Sequence, residues 1–355
     1  MKIRKSSLFS ETKISSATLE LLTKQMSVLL SSGVTLEKTL HIIELQCRGR
    51  TSKIFKELSL SIQSGHSFAK ALSKYPRDFS DVYRGFVFAG ENSGQLSEVF
   101  FKLSKFLEMR NSLKKSILTA LTYPFIVVLM SSLIIILLMA YVVPEITTVY
   151  TSQSRELPLL TIGLIFISDF LIKWGASISL LLGFLLVMMT VAYSKKTKFR
   201  IFCDFFLLKL PVIGKLMLLS EMAMFANTLN MSISGGLDLL KSLQITHRVT
   251  SNMHLLLNIK KVINMVREGV PLGKALSKTA AYPKLLPQLI TIGEETGQLA
   301  KMLDLCARQS IEQFKSQSNT VAIFLEPLLI LSMGVLVMLI VLAVMMPLIE
   351  MNVVI

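Results

Sequence analysis

The sequence predicts an all-α, polytopic membrane protein: two tandem helical-bundle domains of six-helix type and three membrane-crossing helices. Three observations carry that prediction. A seven-residue motif occurs twice at an offset of 203, three long uncharged apolar runs interrupt the chain, and the basic residues are partitioned between two stretches. The composition agrees, because 52% hydrophobic residues against 17% charged ones is too apolar for a purely soluble chain.

The duplication comes first because it organises everything else. Gly90-Glu91-Asn92-Ser93-Gly94-Gln95-Leu96 recurs as Gly293-Glu294-Glu295-Thr296-Gly297-Gln298-Leu299. Downstream, Pro124 pairs with Pro327 and Pro144 with Pro347 at the same offset. Each copy is a polar domain followed by a membrane span.

Within the first copy, Leu19, Leu22, Met26, Leu29 and Leu30 recur at helical spacing. Ser31-Ser32-Gly33 breaks the run before Leu36, Leu40 and Ile43 restart it. Ser234-Gly235-Gly236 repeats the break, so each copy is expected to open with a helical hairpin. Gly65 and Gly269 then fit helix C′ positions, and Pro271 a helix start. Tyr75-Pro76 and Tyr282-Pro283 end the following helix, since a residue before proline avoids the helical region.

In the repeated motif, two glycines four residues apart should interrupt one helix and start another. Glu91 or Glu294, near a helix N-terminus, would complement its free N–H groups. Gly90, Glu91, Gly94 and Gln95, with Gly293, Glu294, Gly297 and Gln298, are thus the candidate residues. Their expected role is a capped turn in each bundle or a contact with a partner.

No charge falls between Ser116 and Pro144, and the runs Trp174–Tyr193 and Pro327–Ile349 are also uncharged. Each is long enough to cross the roughly 30 Å hydrocarbon layer as a helix. Of the 38 Lys and Arg residues, 19 lie in residues 1–123 and 17 in residues 194–323. Cations therefore flank the start of span one, the end of span two and the start of span three, and these sides should be cytoplasmic. The second span returns the chain so that both copies share one orientation, unlike an inverted-repeat transporter.

The expected segments are 1–15, a basic terminus leading into no signal-like apolar core; 16–123, the first cytoplasmic domain; 124–143, span one; and 144–173, an outer loop. Span two (174–193), the second cytoplasmic domain (194–323), span three (324–346) and an outer tail (347–355) complete the chain. Residues 162–171, apolar but broken by Asp169, either lie on the membrane surface or begin span two.

Chemistry is hard to find. Gly236–Ser242 lacks the second glycine of a phosphate-binding loop, and in Gly269–Lys274 the hydroxyl position holds Ala275. His247 and His254 are seven apart and could share a helix face, but a surface pair is the simpler reading than a metal site. Cys47, Cys203 and Cys306 have no CxxC spacing, so reduced, buried thiols are expected. The net charge of +15 is explained by topology without nucleic acid. No ionisable group lies at mid-span, and only Glu326, matched to Tyr123 in the first copy, stands at the start of one. The expectation is no catalytic site, no cofactor and no metal. A parallel-repeat transporter or channel is the alternative, resting on Ser131, Ser132 and Ser332.

The doubled GExxGQL, each copy followed by a proline-flanked span, resembles the type II secretion system protein F and type IV pilus assembly platform family. So do Leu157-Pro158, Ser168-Asp169-Phe170-Leu171 and the ending Met346-Pro347-Leu348-Ile349-Glu350-Met351-Asn352. The resemblance runs from about Ser15 to the end. It implies a multi-pass protein of the bacterial inner membrane, N-terminus cytoplasmic and C-terminus periplasmic, scaffolding a pilin or pseudopilin fibre. Implied partners are a cytoplasmic assembly ATPase, pilin or pseudopilin subunits, other inner-membrane components, the bilayer and further copies of the chain as a homo-oligomer. Secretion is slightly preferred over a surface pilus. Two departures stand out. The first hairpin begins near Ser15, where many secretion members carry an additional N-terminal segment. Some relatives bind a divalent cation through acids of the first domain, and only Glu91 matches such an acid by motif.

Overall fold

The structure, a computed structural model, describes residues 13–138, 141, 159–279 and 281–352. The basic terminus before residue 13, residues 142–158, which include the first half of the expected outer loop over 144–173, and the last three residues lie outside them.

The first copy folds as α1 Ser16–Ser31, α2 Leu36–Gln46, α3 Gly49–Gln63, α4 Phe68–Leu72, α5 Asp81–Ser93 and α6 Leu96–Leu137. Next come α7 Leu159–Lys195 and α8 Thr197–Lys209. The second copy repeats the pattern as α9 Ile213–Ser234, α10 Leu239–Val249, α11 Met253–Arg267, α12 Leu272–Thr279, α13 Leu285–Glu295 and α14 Leu299–Asn352. Every described regular element is a helix.

Local chemistry explains the boundaries. Ser15, Thr35, Ser67 and Ser80 each accept a backbone N–H at the start of a first-copy helix, and Asp238 and Asn252 do so in the second. The first hairpin turn closes identically in both copies. The Gly33 N–H donates to Leu30 O at 3.1 Å and Val34 N–H to Leu29 O at 3.1 Å, matched by Gly236 to Ile233 at 3.0 Å and Leu237 to Ser232 at 3.1 Å. Pro271 sits one residue before α12 rather than inside it, and its carbonyl accepts the Ala275 N–H at 2.9 Å.

The chain forms two compact units, one from residues 1–115 and 207–314, the other from 116–206 and 315–355. The first unit holds two cores. One gathers Leu22, Met26, Leu40, Phe55, Phe68 and Phe100; the other Phe225, Leu243, Ile259, Leu272, Leu286 and Leu303. Helix α9 joins them. It sends Met222, Phe225, Ala226 and Leu229 into the second core and Leu219, Ala223, Met224 and Met231 into the first. Such a helix is apolar almost all round because neither side meets water. Arg248 reaches Asp81 at 3.6 Å and the Lys102 ammonium donates to the Ser234 carbonyl at 3.2 Å, tying the copies at their rims.

In the second unit, α6, α7 and α14 each supply a segment long and apolar enough to cross a membrane. Ile340 packs there against Ile135, Leu138 and Ile165. Much of the remaining apolar surface is exposed, as a lipid-facing surface should be (Leu133 62%, Leu180 76%, Leu331 70%). Helix α6 runs straight through Pro124, so that proline bounds no element. A proline missing its N–H is tolerated in a membrane helix, where neighbouring groups and local adjustments satisfy the freed carbonyl. The chain is likewise helical from Leu159, within the expected outer loop, and that helix runs on through span two to Lys195, while α14 continues past Pro347 to Asn352. Tyr123 and Glu326, at matched positions of the two copies, are hydrogen-bonded to each other.

Candidate functional site

Both copies of the repeated motif lie where a bundle helix turns into a long helix that continues into the membrane segment. The motif starts in the last turn of α5. Gly94 ends that helix at φ 70°, a left-handed conformation that a side chain disfavours, and Gly297 ends α13 at φ 67°. The Gly94 N–H donates to Glu91 O at 3.3 Å and the Gln95 N–H to Gly90 O at 2.9 Å, closing the turn. The Gln95 carbonyl then accepts the Val99 N–H at 3.1 Å and opens α6; Gln298 does the same for Met302 at 3.1 Å. Leu96 and Leu299 pack on the two cores.

Gly90 and Gly293 serve a different purpose. A Cβ at Gly90 would lie 2.6 Å from Val99 Cγ2, and one at Gly293 would lie 2.8 Å from Leu299 Cα. The glycine lets the two helices cross at backbone distance.

The glutamates make a contact the motif alone does not disclose. Glu91 accepts the Phe68 N–H at 2.6 Å and the Ala69 N–H at 3.0 Å, and Glu294 accepts Leu272 at 2.6 Å and Gly273 at 2.9 Å. Each carboxylate thus grips the N-terminus of a short helix more than twenty residues earlier, α4 or α12, rather than the helix that follows the motif. Two free N–H groups are satisfied by one anion, and the negative charge sits where the helix dipole favours it. Gly273, where the first copy has Ala69, is explained by the same crowding: its Cβ would fall 2.2 Å from Thr291 Oγ1.

Two further anchors were not visible in the sequence. Asp78, almost fully buried, accepts the Ile14 N–H at 2.9 Å and a bidentate pair from Arg50 at 2.8 and 2.7 Å. Burial alone would raise its pKa, but the Arg50 and Ile14 hydrogen bonds and the Arg50 charge outweigh it and hold the carboxyl below its usual range. Glu221, buried in α9, accepts the Ser251 and Asn252 N–H groups at 3.2 and 3.3 Å and so caps α11. Partners 28 to 64 residues apart leave no local pattern to read.

That cap also settles the histidines. His247 lies in the last turn of α10 and His254 in the first turn of α11, so the non-helical residues 250–252 separate them and they share no helix face. Among the described residues, no three His, Cys, Asp or Glu side chains converge as metal ligands would. All three cysteines are free; only Cys306 is buried, whereas Cys47, just past the end of α2, and Cys203, midway along α8, are half-exposed.

The remaining chemistry of the site is that of a joint: rigid turns, short helix caps and exposed tips carrying Asn92, Gln95, Glu295 and Gln298. The sequence profile of type II secretion system (T2SS), protein F matches residues 22–144 and again 225–347, two stretches that begin and end at the offset of the motif. The chain belongs to the type II secretion system protein F family. The type II secretion system protein F of Pseudomonas aeruginosa is 32% identical over 348 residues, covering 96% of this chain and 84% of that protein. The Vibrio cholerae protein of the same name is 33% identical over 341 residues, with 96% and 84% covered. The type IV pilus assembly protein PilC of P. aeruginosa is 29% identical over 341 residues, with 95% and 91% covered. As a protein F family member with three apolar helices, the chain is a multi-pass inner-membrane component of the secretion and pilus-assembly class.

Proposed function

We propose that this protein F family member is a non-enzymatic assembly platform that anchors pseudopilin or pilin fibre assembly in the inner membrane and couples it to a cytoplasmic ATPase. The observation that carries the reading is that α6 and α14, of 42 and 54 residues, each run on from a bundle core into an apolar segment as one helix. A force applied to the bundles passes along an unbroken helix, which resists axial compression far better than a loop would.

Several features support the rest of the proposal. The bundles share α9 as a common wall, so they offer a motor one body to push against. The cations flanking the apolar runs favour an N-in, C-out topology. The exposed motif tips suit a second role as partner contacts, and Ser168-Asp169-Phe170-Leu171 with the Glu350-Met351-Asn352 tail favours a secretion setting over a surface pilus. The test is co-purification of the solubilised full chain with an assembly ATPase and a pseudopilin from the native membrane. Capture of both, with secretion lost in a deletion strain, is the expected result. Normal secretion and piliation in that strain, with neither partner captured, overturns the proposal.

A further inference from the structure

The first copy contains a cavity of about 200 Å³ bordered by Lys13, Arg77, Arg110 and Lys114. None of the four is ion-paired to a carboxylate among the described residues. The one acid in the lining, Asp78, is already held by Arg50 and the Ile14 N–H, and nearby Glu20 is engaged by the Asn111 amide at 2.6 Å. Four long cations around one hollow repel each other, and the one acid set among them, Asp78, feels the Lys13 charge but is hydrogen-bonded to Arg50 instead.

The duplication supplies an internal control. At the offset of 203, Lys13, Arg110, Asn111 and Lys114 correspond to Leu216, Gln313, Phe314 and Gln317. The second bundle folds the same way without these three cations, keeping only Lys284 after Tyr282-Pro283 where the first copy has Arg77, and Phe314 is fully buried where Asn111 lines the cavity. The bundle architecture therefore does not require them. Arg110, Asn111 and Lys114 all project from α6, and the same helix enters the uncharged stretch at Ser116, two residues after Lys114. At about 1.5 Å per residue, that end of the cavity lies within a few ångströms of the last charged position before the apolar segment.

We propose that this cavity binds a phosphate-bearing anion, the headgroup of an acidic phospholipid of the adjoining leaflet. A phosphate diester offers acceptor oxygens for the Arg77 and Arg110 guanidinium forks and a charge for the two lysines, while its acyl chains remain beside α6. A free phosphate shares the chemistry, so the test separates the two sources.

The test uses the full chain in a neutral detergent, by native mass spectrometry with phosphatidylglycerol, phosphatidylcholine and inorganic phosphate as probes. The wild type should retain phosphatidylglycerol over phosphatidylcholine. Arg110→Gln/Lys114→Gln, which installs the second copy's residues, should weaken retention about tenfold or more, while exposed Lys53→Gln leaves it unchanged. Lys13→Gln/Arg77→Gln removes cations that do not lie on α6 and should give the same loss even if the first pair fails to fold. Inorganic phosphate binding that both double variants lose, with no lipid preference, makes free phosphate the source and overturns the lipid assignment. Equal lipid and phosphate binding by wild type and both double variants overturns the site altogether.

Discussion

Replacing Glu294 by Ala should destabilise the chain more than replacing Glu91, although the two residues occupy the same place in the repeat. Each carboxylate accepts two backbone N–H groups, at 2.6 and 2.9 Å for Glu294 and at 2.6 and 3.0 Å for Glu91. A hydrogen bond to a charged acceptor is worth about 1.5–3 kcal/mol, and the partial exposure of these pairs places them near the lower end, so each glutamate holds about 3 kcal/mol. The copies differ in what remains. Helix α4 keeps the Ser67 hydroxyl, which accepts the Lys70 N–H at 3.3 Å, whereas α12 is preceded by Pro271, which has no side-chain acceptor. Once Glu91 is gone, the Ser67 hydroxyl can also take up the freed Ala69 N–H, which lies at the second helical position, and a cap bond of that kind is worth about 1 kcal/mol. Glu91→Ala should therefore cost about 2 kcal/mol and Glu294→Ala about 3 kcal/mol. For a unit of this size that lowers Tm by roughly 6 and 9 °C.

Thermal melting of the full chain in detergent measures both, and hydrogen exchange over residues 271–279 locates the second. Gln at position 294 recovers little, because its amide presents a donor to one of the two N–H groups. Equal Tm values for wild type and Glu294→Gln, or a Glu91→Ala loss as large as that of Glu294→Ala, would refute the reasoning.

Three further outcomes follow from the packing. Gly90→Ala should cost about 1–3 kcal/mol through its clash with the Val99 side chain, and Val99→Ala in the same chain should recover part of it. Gly293→Ala has no such rescue because it meets the Leu299 backbone, and parallel melts of the three variants compare them. Asp78 has a lowered folded pKa, so its contribution is complete above the unfolded aspartate value near 3.9 and is lost as pH falls through the folded value. Acid titration of Tm should show a steeper fall below about pH 4 in the wild type than in Asp78→Asn, and matching slopes would count against the Arg50 pair. Burial pushes the Cys306 thiol up to about 11, so maleimide should label Cys203 in the native protein and reach Cys306 only on unfolding, as peptide mapping would show.

The turns and the membrane segments were legible from the sequence because their causes are local. A left-handed glycine at 33, 94, 236 or 297 follows from a few neighbouring dihedrals, and an uncharged run declares its preference for lipid residue by residue. The helix that α5 ends on and the helix that α6 begins could likewise be read around Gly94. The prolines after Tyr75 and Tyr282 follow helix ends as read, whereas Pro124, which would disrupt a helix in water, sits inside the unbroken α6.

By itself, the sequence determined that this chain is a duplication of a helical domain and a span, since periodicity, glycine placement and apolar runs need no knowledge of distant contacts. Tertiary structure alone decided that Glu91 and Glu294 cap α4 and α12, that α9 serves two cores at once, and that Lys13, Arg77, Arg110 and Lys114 surround one cavity. The physical reason is reach. A carboxylate selects its N–H partner, and a cation its neighbours, by a few ångströms of space set by the packing of whole helices, and those ångströms are written nowhere along the chain.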